Sequence, residues 1–355
     1  MSTEGQAAVI GGETHGPATG TMQAVVQDGY GPVDVLRLAQ VPRPAPGDHE
    51  VLLRVHAAGL DRGTWHLMAG KPYLLRLVFG IRRPRQPVLG RDVAGTVVAV
   101  GSSVTRFAVG DDVYGVAPGS FAEYAVARED KLARKPVNLT FEQAAVVPIS
   151  ALTAQRALCA VGRVESGQKV LVTGASGGVG SYAVQLAKAC GAEVTGVSST
   201  AKLDLVRSLG ADHVIDYSRE DFADGHHRYD LILDIAGNPA LSRLRRALRP
   251  TGTLVLVGGE EGNDWTGGTI GRQLRARALS LFVRQRLTSA LNKERGRDLE
   301  RLTDRIESGQ VTPSLERAFP LADAPDAMRR LEAGRVRGKL AITVTPLGTG
   351  RGVLP

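Results

Sequence analysis

Between Lys169 and Gly180 the chain reads Lys-Val-Leu-Val-Thr-Gly-Ala-Ser-Gly-Gly-Val-Gly, an apolar run that breaks into small residues. A helix-like stretch from Ser181 to Cys190 follows, and then a second apolar run from Glu193 to Val197. Ala175-x-Gly177-x-x-Gly180, enclosing Ser176, Gly178 and Val179, is a variant of the fingerprint that holds a dinucleotide pyrophosphate. Small residues make the tight turn, let backbone amides approach the phosphates, and let the helix pack on its strand. The helix N-terminus then faces the anion. Strand, turn and helix arrive in the order this mechanism requires.

The end of the second run carries the choice of nucleotide. A site for the unphosphorylated dinucleotide places Asp or Glu there, about twenty residues beyond the turn, on the ribose 2'-hydroxyl. Here the chain reads Ser198-Ser199-Thr200-Ala201-Lys202. Hydroxyls and a lysine donate hydrogen bonds and positive charge to a 2'-phosphate, and no carboxylate in this segment repels it. NADPH is therefore the expected cofactor. Lys202 also reads as a solvated charge opening the helix that continues through Leu203 and Val206.

These residues need elements to hold them. From Met22 to about Ala127 short strands and turns alternate, with runs at Met22 to Val26, Val51 to Val55, Asp92 to Val100 and Phe121 to Val126. Pro42, Pro44, Pro46 and Gly47 keep the early connection extended. After Pro148 strand and helix alternate, the pattern of a doubly wound parallel sheet. Its strands are Lys169 to Thr173, Val194 to Val197, His213 to Ile215, Tyr229 to Ile235 and Thr253 to Val257, the last ending at Gly258-Gly259. Ala278 to Val283 is the expected sixth strand. Helices at about Asp298 to Ser308 and Ala322 to Ala333, and a strand from Lys339 to Val344, are expected to fold back onto the first half.

At 355 residues the chain calls for two domains. Aromatics make up 5% against 43 glycines, which suits an α/β protein rich in turns. The net charge of +8 comes largely from arginine clusters without interleaved aromatics, so attraction for an anionic cofactor accounts for it and a nucleic-acid partner is not expected. No apolar run approaches the ~18 residues of a membrane span, and no membrane partner is expected. Residues 1–20 are small and polar and read as a flexible tail, not an export signal, which points to the cytoplasm. Cys159 and Cys190 read as buried small apolar groups.

In this order the chain resembles the medium-chain dehydrogenase/reductase superfamily, and within it the zinc-independent quinone oxidoreductase-like branch. The resemblance runs from about Met22 to Val344. It rests on the glycine turn with Val184-Gln185-Leu186-Ala187, on the segment from Leu209 to Tyr217, and on Val109-Gly110-Asp111-Asp112-Val113. It implies a GroES-like β-rich catalytic domain plus a Rossmann domain: a tail over 1–21, a catalytic domain over 22–147 completed by 291–355, and an NADPH-binding domain over 148–290. It implies Lys202 and Tyr217 on the 2'-phosphate and adenosine, Gly237, Gly258 and Gly259 along the cofactor, Thr153 beside the nicotinamide, and a homodimer joined at about Ala278 to Val283. It also matches the zinc ligands of the alcohol dehydrogenases to Asp61, Arg91 and about Ile149, and the proton-relay hydroxyl to a point near Gly63. Arginine and isoleucine cannot ligate zinc, so no metal is expected.

What such a site can do is pass a hydride to a carbon whose developing charge delocalises onto oxygen, as in a quinone or an α,β-unsaturated carbonyl. Asp61, Thr64 and Trp65 are candidate substrate contacts, although the family's Asn-Pro-x-Asp is replaced here by Asp61-Arg62-Gly63-Thr64. Tyr73 is the preferred hydrogen-bond donor to a carbonyl oxygen, His66 the alternative, and Thr153 doubles as a helix-capping hydroxyl. Two further readings are an enoyl-thioester reductase and a non-catalytic NADPH-binding sensor or interaction protein.

Overall fold

The computed structural model describes residues 20–258, 267–290 and 294–344. Thr21–Gln27 (β1) and Leu36–Pro42 (β2) form an antiparallel ribbon, so the proline-rich connection is itself a strand up to Pro42. A larger sheet gathers Glu50–Leu60 (β3), Asp92–Val100 (β4), Asp112–Val116 (β5), Tyr124–Arg128 (β6) and Leu132–Arg134 (β7). Its inward residues alternate along β3 and β4 and pack with the helix Arg62–Ala69 (α1) into one apolar core. A short helix, Arg76–Phe79 (α2), leads back towards β4.

Helices Phe141–Ala145 (α3) and Pro148–Gln155 (α4) carry the chain across to the second sheet. Thr140 and Gln143 close a capping box on α3, each side chain bonding the other's backbone amide, while proline opens α4. Lys169–Thr173 (β8), Glu193–Ser198 (β9), His213–Asp216 (β10), Tyr229–Asp234 (β11), Leu248–Leu256 (β12) and Arg286–Ser289 (β13) pair in the order β10-β9-β8-β11-β12-β13. Every pairing is parallel. That order, with the first strand central and the chain winding outward on both sides, is the Rossmann arrangement, and its ligand crevice lies where the winding reverses, beyond the ends of β8 and β11. The crossovers are Gly178–Ala189 (α5), Leu203–Ser208 (α6), Leu241–Ala247 (α7) and Gly267–Leu279 (α8).

The sixth strand is β13, not Ala278 to Val283. That apolar run is the last turn of α8 and the loop after it: Leu279 and Val283 pack on the sheet core while Leu281 and Phe282 are exposed. The cysteines differ from expectation too. Cys159 is exposed, Cys190 is half-buried, and both are free thiols.

Gly296–Glu307 (α9) buries Leu299, Leu302 and Ile306 against the inter-sheet core. Leu315–Pro320 (β14), Ala324–Glu332 (α10) and Lys339–Thr343 (β15) complete the chain's return to the first sheet, where β15 pairs antiparallel with β3. Both ends of the described chain therefore build one lobe around the Rossmann sheet. Among the described residues no helix is long and apolar enough to cross a membrane.

Candidate active site

A cleft of about 480 Å³ runs between the lobes. From one side it is lined by Asp61, Arg62, Gly63 and His66, and by the return segment from Gly334 to Leu340. From the other it is lined by Ile149, Ser150, Thr153, Gly177, Gly178, Val179, Lys202, Ile235, Val257 and Gly258.

The turn after β8 makes its floor. Gly174 sits at φ +68°, where a side chain is strained, and Gly180 packs so closely that an added Cβ would lie 2.1 Å from the Gly174 carbonyl oxygen. Gly177 is different: an added Cβ would touch only that oxygen, at 3.4 Å, and would project into the cleft. Gly177 is also the N-cap of α5 and supplies no side chain to the orphan amides. The first N–H groups of this twelve-residue helix are therefore open to an anion at the cleft floor. Ala175 is buried and donates its amide to the Val197 carbonyl, and the Ser198 hydroxyl donates to Ser176 Oγ at 2.7 Å. The turn is thereby locked to the end of β9.

Beyond the turn Ser198, Ser199, Lys202 and Tyr217 come together around the ends of β9 and β10, where the Tyr217 amide donates to the Ser198 carbonyl and the Lys202 amide to that of Ser199; Lys202 lines the cleft and Tyr217 is 60% exposed. Thr200 is already engaged, because its hydroxyl donates to Asp216. That bond, with those from the Ser218 hydroxyl and amide, holds the Asp216 carboxyl below the usual carboxylate range. The sequence showed no acid after β9, and Asp216, arriving from the neighbouring strand, escaped notice. Its charge is taken up by Thr200 and Ser218.

Lys202 Nζ donates to the carbonyls of Gly334 and Val336, each at 2.8 Å. Burial draws its pKa down; Glu316 opposes this and Arg337 reinforces it. Arg337 reaches back to the Ala201 carbonyl and Asp204, and the Gly338 amide donates to the Ser176 carbonyl at 2.8 Å. The segment between α10 and β15 is thus a strap tied across the cofactor groove by both backbone and side chains.

At the other end, Asp61 caps α1 by accepting the Thr64 amide at 2.8 Å and the Thr64 hydroxyl with the same oxygen. Its second oxygen is buried without a hydrogen-bond partner. The His66 ring nitrogen Nδ1 lies 2.8 Å from the Lys71 carbonyl, and the ring meets Trp65 edge-on. Thr153 donates to the Ile149 carbonyl at 2.6 Å and faces the cleft from α4. Asp61, His66 and Thr153 are brought together. Thr64 is buried behind Asp61, and Trp65 turns its indole N–H to Glu332. Tyr73 begins a short 3-10 turn with the Arg76 guanidinium over its ring, and it does not line the cleft. Gly237 accepts Arg272 through its carbonyl, Gly258 lines the cleft after β12, and Gly259 lies outside the described residues.

Lys339 escaped the sequence reading. It is 2% exposed, lies against the glycine turn, and points its ammonium at Asp92 Oδ2, 3.4 Å away. Asp92 accepts the Ile149 amide with its other oxygen, and burial pushes its carboxyl up to about 7 against the pull of Lys339. Lys339 opens the closing strand directly after Gly338, where a lysine reads as an ordinary solvated charge, so no local signal marked it.

The three positions matched to zinc ligands do not form a donor set. Arg91 pairs with Glu294 at 2.8 Å, the Ile149 side chain carries no donor atom, and Asp61 is engaged in capping α1. Among the described residues no group of three or more His, Cys, Asp or Glu is arranged to hold a metal ion.

A two-lobed molecule whose crevice joins a Rossmann phosphate turn to a polar, half-enclosed end is a nicotinamide-nucleotide oxidoreductase. Residues 47–137 match the alcohol dehydrogenase GroES-like domain and residues 209–342 the zinc-binding dehydrogenase family. The chain is 34% identical to the mitochondrial NAD(P)H oxidoreductase RTN4IP1 of Mus musculus, over 91% of this chain and 89% of that one. It is also 34% identical to the chloroplastic NADPH-dependent alkenal/one oxidoreductase of Arabidopsis thaliana, over 92% and 80%. The quinone oxidoreductase of Coxiella burnetii superposes with a TM-score of 0.82 at 30% identity, covering 92% of this chain and all of that one. The chain belongs to the quinone oxidoreductase-like branch of the medium-chain dehydrogenase/reductase superfamily.

Proposed function

We propose that this protein uses NADPH, without a metal ion, to reduce quinones or α,β-unsaturated carbonyls. The observation that carries the reading is the uncapped α5 N-terminus beneath Gly177, opening into the cleft that Lys202, Thr153 and Asp61 share. NADPH, when bound, would supply the hydride, and water the proton that neutralises the resulting oxyanion. Gly177 and the α5 amides would take the pyrophosphate, while Ser199, Lys202 and Tyr217 would take the phosphorylated ribose and Ser198 holds the turn in place through Ser176. Thr153 and Asp61 flank the reacting end, where the unpartnered Asp61 oxygen would accept a hydrogen bond from the nicotinamide amide or from a hydroxyl of the reduced product. His66 lines the same end with Nδ1 against the Lys71 carbonyl, so its other nitrogen accepts a hydrogen bond in the neutral ring and donates one to a substrate oxygen only as the imidazolium. Relatives that are oxidoreductases of quinones and of alkenals and enones support this substrate class.

Following NADPH and NADH oxidation against quinones, enones, aldehydes and acyl thioesters tests the reading. Turnover of quinones or enones with NADPH is the expected result, with no zinc by elemental analysis. Turnover confined to acyl thioesters or aldehydes, or stoichiometric zinc, would overturn it.

We further propose a cytoplasmic homodimer joined along the sheet edge at β13, beside the exposed Leu281 and Phe282. Light scattering should give twice the chain mass, and Leu281→Glu with Phe282→Glu should shift it to the monomer.

A further inference from the structure

The excursion between α1 and β4 has a composition that the cofactor does not explain. Between Asp61 and Asp92 the thirty residues hold seven arginines and lysines and no carboxylate. Among the described residues, twelve large apolar side chains are exposed, and five of them fall between Leu74 and Ile81. Leu77, Val78 and Ile81 are 61%, 63% and 68% exposed. The patch is held in place from beneath. Tyr30 donates to the Gly80 carbonyl at 2.7 Å, Arg76 stacks on Tyr30 while donating to the Gly70 carbonyl, and the Arg85 amide closes the loop on the Phe79 carbonyl. The exposed arginines 82, 83 and 85 border a groove with Ile81 whose one carboxylate, Asp28, is paired with Arg37 at 2.9 Å.

We propose that this excursion docks the protein onto the surface of a bilayer containing anionic phospholipid. Leu77, Val78 and Ile81 enter the boundary of headgroups and acyl chains while Arg82, Arg83 and Arg85 meet the phosphates. A second copy of this chain would bring the same cations against these and be repelled. Nucleic acid would be met by stacking aromatics, and the outermost side chains here are aliphatic. Among the described residues no helix is long and apolar enough to span a bilayer. Surface docking needs only a fixed apolar tip flanked by cations. The patch follows α1, whose His66 lines the cleft and touches Lys71 at the base of the excursion. Where the reading as a quinone reductase also holds, an acceptor dissolved in the bilayer is delivered to the cleft mouth.

Sedimentation of the full chain with vesicles tests the docking without turnover, so it can succeed even if quinone reduction fails. Binding is expected on phosphatidylglycerol-rich vesicles, not on phosphatidylcholine alone, and should be lost in 1 M salt, where the Debye length is about 3 Å. The triple change Arg82→Glu, Arg83→Glu, Arg85→Glu should weaken it about a hundredfold or more, and Val78→Ser with Ile81→Ser about tenfold. Thermal unfolding and NADPH affinity should stay unchanged in both, since all five residues are exposed and none lines the cofactor cleft. Equal binding to neutral vesicles, undiminished binding by either variant, or salt-sensitive binding to a soluble acidic protein with none to vesicles would overturn the proposal.

Discussion

Gly177 and Gly180 stand in one turn and are required for different reasons. At Gly180 the backbone of Gly174 and Ala175 fills the place of a side chain, whereas at Gly177 that place is empty cleft. Gly180→Val should therefore destabilise the fold by about 3 kcal/mol or more. Gly177→Val should leave the unfolding midpoint unchanged and weaken NADPH roughly ten- to a hundredfold, the about 1–3 kcal/mol of a side chain forced into filled space. Calorimetric titration with thermal unfolding separates the two, and unchanged NADPH affinity in Gly177→Val would remove the phosphates from this turn. Lys202 makes a sharper test of nucleotide choice. Its ammonium, held by the Gly334 and Val336 carbonyls and partly desolvated, has an incentive to take an anionic partner. Lys202→Ala should cost NADPH about 1.5–3 kcal/mol, roughly ten- to a hundredfold, while NADH changes little. Equal losses for the two nucleotides would mean that the lysine serves only the strap.

Elements with a strong local pattern were legible because local forces decide them. The run from Lys169 to Thr173 is a strand as read, since its residues are buried on both faces of a parallel sheet and the small residues behind it permit one sharp turn. Ala278 to Val283 misled because its apolar content is equally that of a helix end. What fixes α8 is tertiary: Arg272 reaches the buried Asp234 at 2.5 Å and the carbonyls of Gly237 and Pro239. That contact joins residues 38 apart and ties α8 to the loop beside the cofactor groove. Arg272→Ala would leave the Asp234 charge buried and deprived of its cation, at a cost of about 3–5 kcal/mol. Urea denaturation reads this directly, and a loss below about 1 kcal/mol would mean that Thr173 and the Gly237 amide satisfy Asp234 alone.

At the scale of the whole molecule the lobes meet at a buried charge pair that no local pattern revealed. Asp92 lies on β4, Lys339 on β15 at the far end of the chain, and Ile149 on α4, so one carboxylate ties the first sheet, its returning strand and the crossing into the Rossmann lobe. A lysine beside a glycine reads as surface; only its partner, 247 residues away, makes it core. Burial raises the Asp92 pKa from 3.8 to about 7, with Lys339 opposing and Asp61 adding to the rise. The folded state therefore binds this proton more tightly than the unfolded chain, and the stability it confers is lost as pH climbs from about 4 through 7. His56, whose pKa is lowered by burial against Phe141, works the other way and gains stability over the upper part of that window. Comparison with Asp92→Asn combined with Lys339→Met isolates the pair, because the substituted carboxamide still accepts the Ile149 amide and no lone charge remains. Between pH 5 and 7 the natural chain should lose about 2 kcal/mol relative to this double variant, given about 1.4 kcal/mol per unit of pKa shift. Parallel curves of unfolding free energy against pH would show that Asp92 keeps its charge throughout, as the fully ionised partner of Lys339 within the first sheet.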